Sequence, residues 1–351
     1  MSDDADDEAA EDAAPPPTGA DELLYQFLLR CFGRTPTARE LTSWGERLGR
    51  RPAAQAFLRQ LASSPAYQAN NTVMVKNQAG HFFSPVVDPA QVVDYVAATR
   101  HLRAEDIAGI AFDLEGMERF WRAHADFIRA TPFTDAADGV HRYSFRSGPY
   151  NYGDGIVLRA MIAAYKPRRV IEIGSGYSTA CMLDSAEEVG LDDFHITCIE
   201  PYPARLKSVL RPADEDWVEI VEQGVQGFDL ERFRQLERND ILFIDSTHVL
   251  KTGSDVHYEL FHILPVLRPG VLVHFHDCRW PFEYSDKQIF QKNYSWNEAY
   301  GVRALLMYST RFRVIFYGSL FAVERPELAH DVSPTFTRNP GSAIWLQVQD
   351  R

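Results

Sequence analysis

Residues 168–180, Arg-Arg-Val-Ile-Glu-Ile-Gly-Ser-Gly-Tyr-Ser-Thr-Ala, leave this chain few folds to choose from. Val170, Ile171 and Ile173 form a β-branched run of the kind buried on both faces of a parallel sheet. Gly174 and Gly176, with only Ser175 between them, allow the strand to turn tightly into a helix. Backbone N–H groups and a helix N-terminus then approach a ligand closely, with Ser178 in the first helical turn. Further on, His195-Ile-Thr-Cys-Ile-Glu places Glu200 at a second strand end, where a carboxylate can take both hydroxyls of a ribose. Glu172, Gly174, Ser175, Gly176, Ser178 and Glu200 are therefore candidate ligand residues of a nucleoside-binding α/β domain.

Two kinds of nucleoside cofactor fit that description. A dinucleotide fingerprint wants a third glycine where this chain has Thr179. Glu172, immediately before the turn, would repel a pyrophosphate but suits a cationic sulfonium. The pattern Glu172-x-Gly174-x-Gly176 with Glu200 resembles the first two motifs of class I S-adenosylmethionine-dependent methyltransferases. That resemblance implies S-adenosylmethionine as the cofactor and disfavours a nicotinamide dehydrogenase.

Composition narrows the partners. The net charge is −13, but residues 1–20 hold seven acids and no base, leaving −6 for the other 331 residues. No Arg/Lys stripe stands out, which argues against nucleic acid. The apolar runs are strand-sized, too short for a membrane span, and the acidic N-terminus has no signal-peptide core. Cys31, Cys181, Cys198 and Cys278 are dispersed without disulfide or metal-site spacing, and a cytoplasmic location is the simplest expectation.

Along the chain, residues 1–20 read as a disordered acidic tail. Residues 21–75 carry helical periodicity: Leu23, Leu24, Phe27 and Leu28 share one face, Gly33 stops that helix and Pro36-Thr37 starts the next. The run from Leu24-Tyr-Gln-Phe through Gly33-Arg-Thr-Pro to Ser63-Ser-Pro-Ala-Tyr resembles a small helical module related to phycobilisome-linker-type domains. It is expected to pack or mediate assembly, including homo-oligomerisation. Residues 76–150 read as a helical and irregular cap. Tyr150 and Asp154 then precede an apolar helix, either as walls of the cofactor site or with Asp154 as a plain helix cap.

From Val170 the alternation is regular over 151–351. Strands are expected at 168–173, 195–199, 217–221, 241–245 and 271–276, with helices at 177–188, 203–210, 254–267 and 297–308. Such spacing predicts a Rossmann-like, doubly wound parallel sheet. Phe312–Tyr317 and Ala343–Val348 look like two further strands with no periodic helix between them, forming an antiparallel pair at one edge. That ending is what the class I methyltransferase fold would supply.

Ligands of such sheets bind past the carboxyl ends of the strands. After the fourth strand comes Asp245-Ser-Thr-His248, and after the fifth comes His274-Phe-His276-Asp277. Asp245 and Asp277 would meet across neighbouring strands and could share one hard cation with His276, or each could cap a helix. His248 is a candidate general base, with His276 as base or ligand, because a histidine can take a hydroxyl proton near neutrality. His274, one step deeper, is expected to be packed and hydrogen-bonded. Gln223 lies where an adenine edge would fall, and Asp245 borders the same cleft. Trp280, Pro281, Phe282 and Tyr284 would shape an acceptor pocket or simply pack. Ser254 is expected to cap the following helix, with Asp255 in its first turn.

The passage from Asp245-x-x-His248 through Leu264-Pro-x-Leu-x-Pro-Gly270 to His274-x-His276-Asp277 resembles bacterial class I methyltransferases of the family-24 type. It is also similar to metal-dependent sugar O-methyltransferases and cephalosporin-hydroxylase-like proteins. The resemblance implies metal-binding Asp245 and Asp277, a His248 base and a small-molecule hydroxyl as acceptor. Its third acidic ligand is not matched, since His276 stands before Asp277, so the ion is magnesium or a transition metal. A metal-dependent oxygenase on the same scaffold, and a non-catalytic assembly protein, are the rival readings.

Overall fold

The protein is described by a computed structural model in which residues 25, 37–49, 80–146 and 148–350 are placed. The acidic tail and most of the 21–75 module lie outside the described residues. The chain divides into two compact units, Met1–Gln78 and Ala79–Arg351. Within the first, a helix spans Ala38–Gly49. It begins with a reciprocal cap: the Glu40 N–H donates to Thr37 Oγ1 at 3.2 Å, and the Thr37 N–H donates to the Glu40 carboxylate at 2.8 Å.

The second unit is built on seven strands: β1 Arg169–Ile173, β2 His195–Ile199, β3 Val218–Val221, β4 Ile241–Ile244, β5 Leu272–Phe275, β6 Phe312–Tyr317 and β7 Ile344–Val348. Their order across the sheet is β3-β2-β1-β4-β5-β7-β6. The pairs β3–β2, β2–β1, β1–β4 and β4–β5 are parallel, and β7 runs antiparallel to both neighbours. This is the class I methyltransferase arrangement. Every residue of β4 and β5 is buried, as helices on both faces of a parallel sheet require. The helix Tyr152–Tyr165 packs against the helix Tyr177–Glu188, and both are mostly buried.

Two expectations are corrected here. The link between β6 and β7 is not helix-free: short helices span Gly318–Glu324, Pro326–Val332 and Pro334–Arg338. Proline at the start of the second and third breaks the run into pieces too short for a 3.6-residue pattern to show. The expected single helix over 254–267 is three pieces, Asp255–Tyr258, a π-helical turn Glu259–Ile263, and a 3₁₀ turn Leu264–Val266. Ser254 does cap it, its Oγ accepting the His257 N–H at 3.1 Å.

One buried cation fastens the cap segment to the sheet-covering helices. Arg142, 2% exposed, reaches Asp184, Glu187 and Asp214, and Asp184 also accepts the Tyr143 N–H at 2.8 Å. Removing the guanidinium leaves two buried carboxylates without their partner, which typically costs about 3–5 kcal/mol. Arg142→Ala is expected to lower the thermal midpoint by about 10 °C, by roughly 2–4 °C per kcal/mol for a domain this size. An unchanged midpoint in calorimetry would remove Arg142 from this role.

Candidate active site

Register delivers the site residues to one edge. Ile173 of β1 lies level with Ile199 of β2 and Ile244 of β4, and Ile244 lies level with Phe275 of β5. The next residue on each strand is Gly174, Glu200, Asp245 and His276, so four candidates share the rim where parallel sheets hold ligands. The ladder continues one step into that rim, through Gly174 N–H to Ile199 O at 3.1 Å and Asp245 N–H to Ile173 O at 2.9 Å.

The glycine turn is crossed at close quarters by the end of β4. Gly174 has φ +79°, and a Cβ there would sit 1.9 Å from the carbonyl oxygen of Asp245. Ser175 N–H donates to Glu200 Oε2 at 3.3 Å, while Tyr202 N–H donates to Glu200 Oε1 at 2.8 Å. Glu200 thus stands half-buried beside the turn, pre-oriented by backbone amides.

Glu172 does something other than the sequence suggests. It is fully buried, and its carboxylate accepts the hydroxyls of Ser178, at 2.6 Å, and of Thr179. Thr179 Oγ1 in turn accepts the Gly176 N–H at 3.2 Å. Glu172 and Ser178 therefore form a buried clasp between β1 and the following helix. Thr179 replaces the third glycine because its hydroxyl completes the clasp.

Burial pushes the Glu172 carboxyl up to about 7, against its hydrogen bonds from Ser178 and Thr179. A carboxyl raised on folding stabilises fully below its ordinary value of about 4.5 and loses that contribution as pH climbs through 7. The loss is on the order of 3 kcal/mol, at about 1.4 kcal/mol per pH unit. Glu172→Gln carries no such titration. Its thermal midpoint is expected to gain on the wild type between pH 5 and pH 8; a pH-independent difference would refute the assignment.

His248, Asp245 and Asp277 form a group whose ligand atoms all lie within 4.8 Å of one another. His248 Nε2 is 3.4 Å from Asp245 Oδ1 and 3.5 Å from Asp277 Oδ2. Its Nδ1 faces Glu298 Oε2 at 2.7 Å, which fixes the ring from behind. Trp296 covers its face with ring centroids 4.4 Å apart. Burial works against a charge on this imidazole, but Asp245 and Glu298 outweigh it and hold its pKa up at about 10. Asp245 is drawn well below the usual carboxylate range: burial opposes this, and His276 and His248 overcome it. His248 and Asp277 both have left-handed backbones, φ 60° and 49°, a conformation that side chains other than glycine adopt at a cost.

Glu298 is the residue of the candidate site that sequence reading missed. It sits at the start of the helix Glu298–Leu306, where an acid reads as an ordinary first-turn residue. Behind it, Glu259 is completely buried in the π-helical turn and contacts Ser246 Oγ at 3.3 Å. Burial, and then the charge of Glu298, push the Glu259 carboxyl well above its ordinary value.

His276 approaches the cluster from the other side, with Nδ1 3.3 Å from Asp245 Oδ1 and 3.9 Å from Asp277 Oδ2, and Nε2 3.6 Å from Asp154 Oδ2. Asp154 is buried and also accepts the Ser342 N–H at 3.0 Å, so it is neither an open wall nor a helix cap. Tyr150 is a core residue, its hydroxyl donating to the Asp154 carbonyl at 3.1 Å and its ring lying 5.2 Å from that of His276. Gln223 is exposed past β3, apart from these contacts. His274 packs as expected, stacked on Phe243 at 3.8 Å, but neither ring nitrogen has a hydrogen-bond partner among the described residues. Burial there drives its pKa down and keeps it neutral.

Residues 171–278 match the model of a family described as a methyltransferase domain, from within β1 to just past β5. An uncharacterised protein of Archaeoglobus fulgidus is 26% identical over 167 residues, 46% of this chain and 74% of that protein. A Podospora anserina methyltransferase solved with SAH bound is similar at 16% identity, over 74% of this chain and 96% of that one, with a TM-score of 0.37. An O-methyltransferase of Streptomyces achromogenes, involved in tomaymycin synthesis and solved with SAM, is similar at 14% identity over 74% and 96%, with a TM-score of 0.38. Likenesses this distant add nothing to what the strand order establishes. No helix among the described residues is long and apolar enough to cross a membrane.

Proposed function

We propose that this chain, which carries a methyltransferase domain over residues 171–278, moves a methyl group from S-adenosylmethionine to a hydroxyl oxygen of a small-molecule acceptor. The observation that carries the acceptor chemistry is His248: its Nδ1 is held by Glu298, and its Nε2 is aimed between two carboxylates at the sheet rim. Bound S-adenosylmethionine supplies an electrophilic methyl on a sulfonium. The residues present suit its nucleoside: a turn whose backbone is bare at Gly174, and Glu200 oriented beside it for the ribose.

A divalent cation also fits the residues. Asp245 and Asp277 converge, with His276 Nδ1 3.3 Å from Asp245 Oδ1 and 3.9 Å from Asp277 Oδ2 as a third donor atom, and with His248 Nε2 facing both carboxylates from the other side. Such an ion would supply Lewis acidity to the acceptor oxygen. Two oxygens and an imidazole suit either magnesium or a softer transition ion. The charged His248 imidazole faces both carboxylates; a cation held by them would balance their charge in its place and favour the neutral imidazole. His248 is then neutral, tethered through Nδ1 to Glu298, and takes the acceptor's hydroxyl proton onto Nε2. Glu298 works as a positioning residue, holding the imidazole in one tautomer. Most of the rate enhancement is assigned to alignment of acceptor oxygen and methyl.

The 4.8 Å grouping of Asp245, His248 and Asp277 favours one second reading, in which His248 is the third ligand and His276 the base. Metal analysis of a His248→Ala variant separates them. With His248 as base, the variant keeps its stoichiometric metal while turnover falls about 10²–10⁴-fold, the usual contribution of a general base. Loss of the metal along with turnover would instead make it a ligand. Turnover without S-adenosylhomocysteine as product would refute the methyl-transfer reading altogether.

A further inference from the structure

Beside the rim, and outside every residue invoked so far except Tyr284 and Trp296, lies a cavity of about 240 Å³ between segments 85–96 and 283–300. Aliphatic side chains, Val87, Val92, Val96 and Ile289, form one part of its walls and aromatic ones another. Tyr294 stacks on Trp296 with centroids 4.5 Å apart at 27°, and Tyr284 stands edge-on to both Trp296 and Tyr300 at 5.8 Å. At one side stands Glu283, 9% exposed. Its Oε1 accepts the Tyr300 hydroxyl at 2.6 Å and the Tyr284 N–H at 3.0 Å. Its Oε2 has no hydrogen-bond partner among the described residues, and Arg100, which reaches the Tyr284 carbonyl, is already paired with Asp286.

An aromatic box with a carboxylate in its wall selects by charge. A neutral apolar guest would strip water from Glu283 and return nothing to it. An anion would be repelled. A cation gains from both the ring faces and the carboxylate. We propose that this cavity binds an organic ammonium group. Its inner wall is also the strand of chain that holds His248: Trp296 covers that ring at 4.4 Å, and the N–H groups of Asn297 and Glu298 both donate to the His248 carbonyl, at 3.0 and 3.2 Å. If the methyl-transfer reading holds, and this clause rests on it, the ammonium belongs to the acceptor, which is then an amine-bearing alcohol or phenol.

Calorimetric titration of the full chain with 2-phenylethylammonium and with neutral 2-phenylethanol, each with and without S-adenosylhomocysteine, tests the site. The ammonium is expected to bind at least about tenfold more tightly, roughly 1.4 kcal/mol. Glu283→Gln, which can still accept from Tyr300, is expected to erase that preference, and Tyr294→Ala to weaken the ammonium at least about fivefold. Equal affinity for the two probes, no binding of either, or a preference that survives Glu283→Gln would overturn the proposal. Heat from S-adenosylhomocysteine with no probe preference sinks the cavity assignment alone. A probe preference without any heat from S-adenosylhomocysteine sinks the methyl-transfer reading alone.

Discussion

Gly174→Ala is expected to cost the domain at least about 4 kcal/mol and to abolish cofactor binding. Two independent effects add. The residue occupies φ +79°, where an added Cβ costs about 1–2 kcal/mol by itself. That Cβ would also stand 1.9 Å from the Asp245 carbonyl oxygen, a backbone atom pinned at the end of β4. Relief requires β1 and β4 to part at the rim, which breaks the Asp245 N–H to Ile173 bond and displaces Ser175 from Glu200. Thermal denaturation should show a midpoint lower by about 10 °C or more. Gly176→Ala is expected to be milder, because its Cβ meets only the movable side chain of Arg205, Cδ at 3.0 Å and Cγ at 3.5 Å. A Gly174→Ala protein that melts with the wild type would show that the turn is not built as described.

Asp277→Asn should have the opposite profile, an intact fold and a dead site. Asparagine tolerates the left-handed backbone at φ 49° better than most residues. Its side-chain oxygen can still accept the Ser342 hydroxyl, as Asp277 Oδ1 does at 3.1 Å. What is lost is the negative charge facing His248 Nε2, and with it half of the carboxylate pair. Turnover is expected to fall about a thousandfold, roughly 4 kcal/mol of transition-state stabilisation. Bound metal should be lost while the thermal midpoint stays within a few degrees. Full activity with the metal absent would remove the ion from the mechanism.

The five parallel strands were readable in the sequence because each is a short, largely apolar run bounded by turn residues, buried throughout in β4 and β5 and only half-buried in the edge strand β3. Their register then carried Gly174, Glu200, Asp245 and His276 to one rim, so the site's location followed from strand ends alone. Roles were less legible. Glu172 reads as a free carboxylate, yet Ser178 and Thr179, six and seven residues later, turn it into a helix clasp; only the path of the following helix shows that. Asp154 reads as a wall of the cofactor site or a helix cap, but its Oδ1 accepts the N–H of Ser342, far along the chain. Glu298 lies fifty residues from the imidazole it orients and leaves no local pattern. Short helices begun by Pro326 and Pro334 hide between β6 and β7 because none is long enough for its apolar face to repeat.

Calorimetric titration of S-adenosylmethionine into the full-length chain, with NAD as the comparison, bears most directly on the nucleoside cleft. One-to-one binding of S-adenosylmethionine, lost in Gly174→Ala and absent for NAD, is the expected result. Binding of NAD with no heat from S-adenosylmethionine would contradict it.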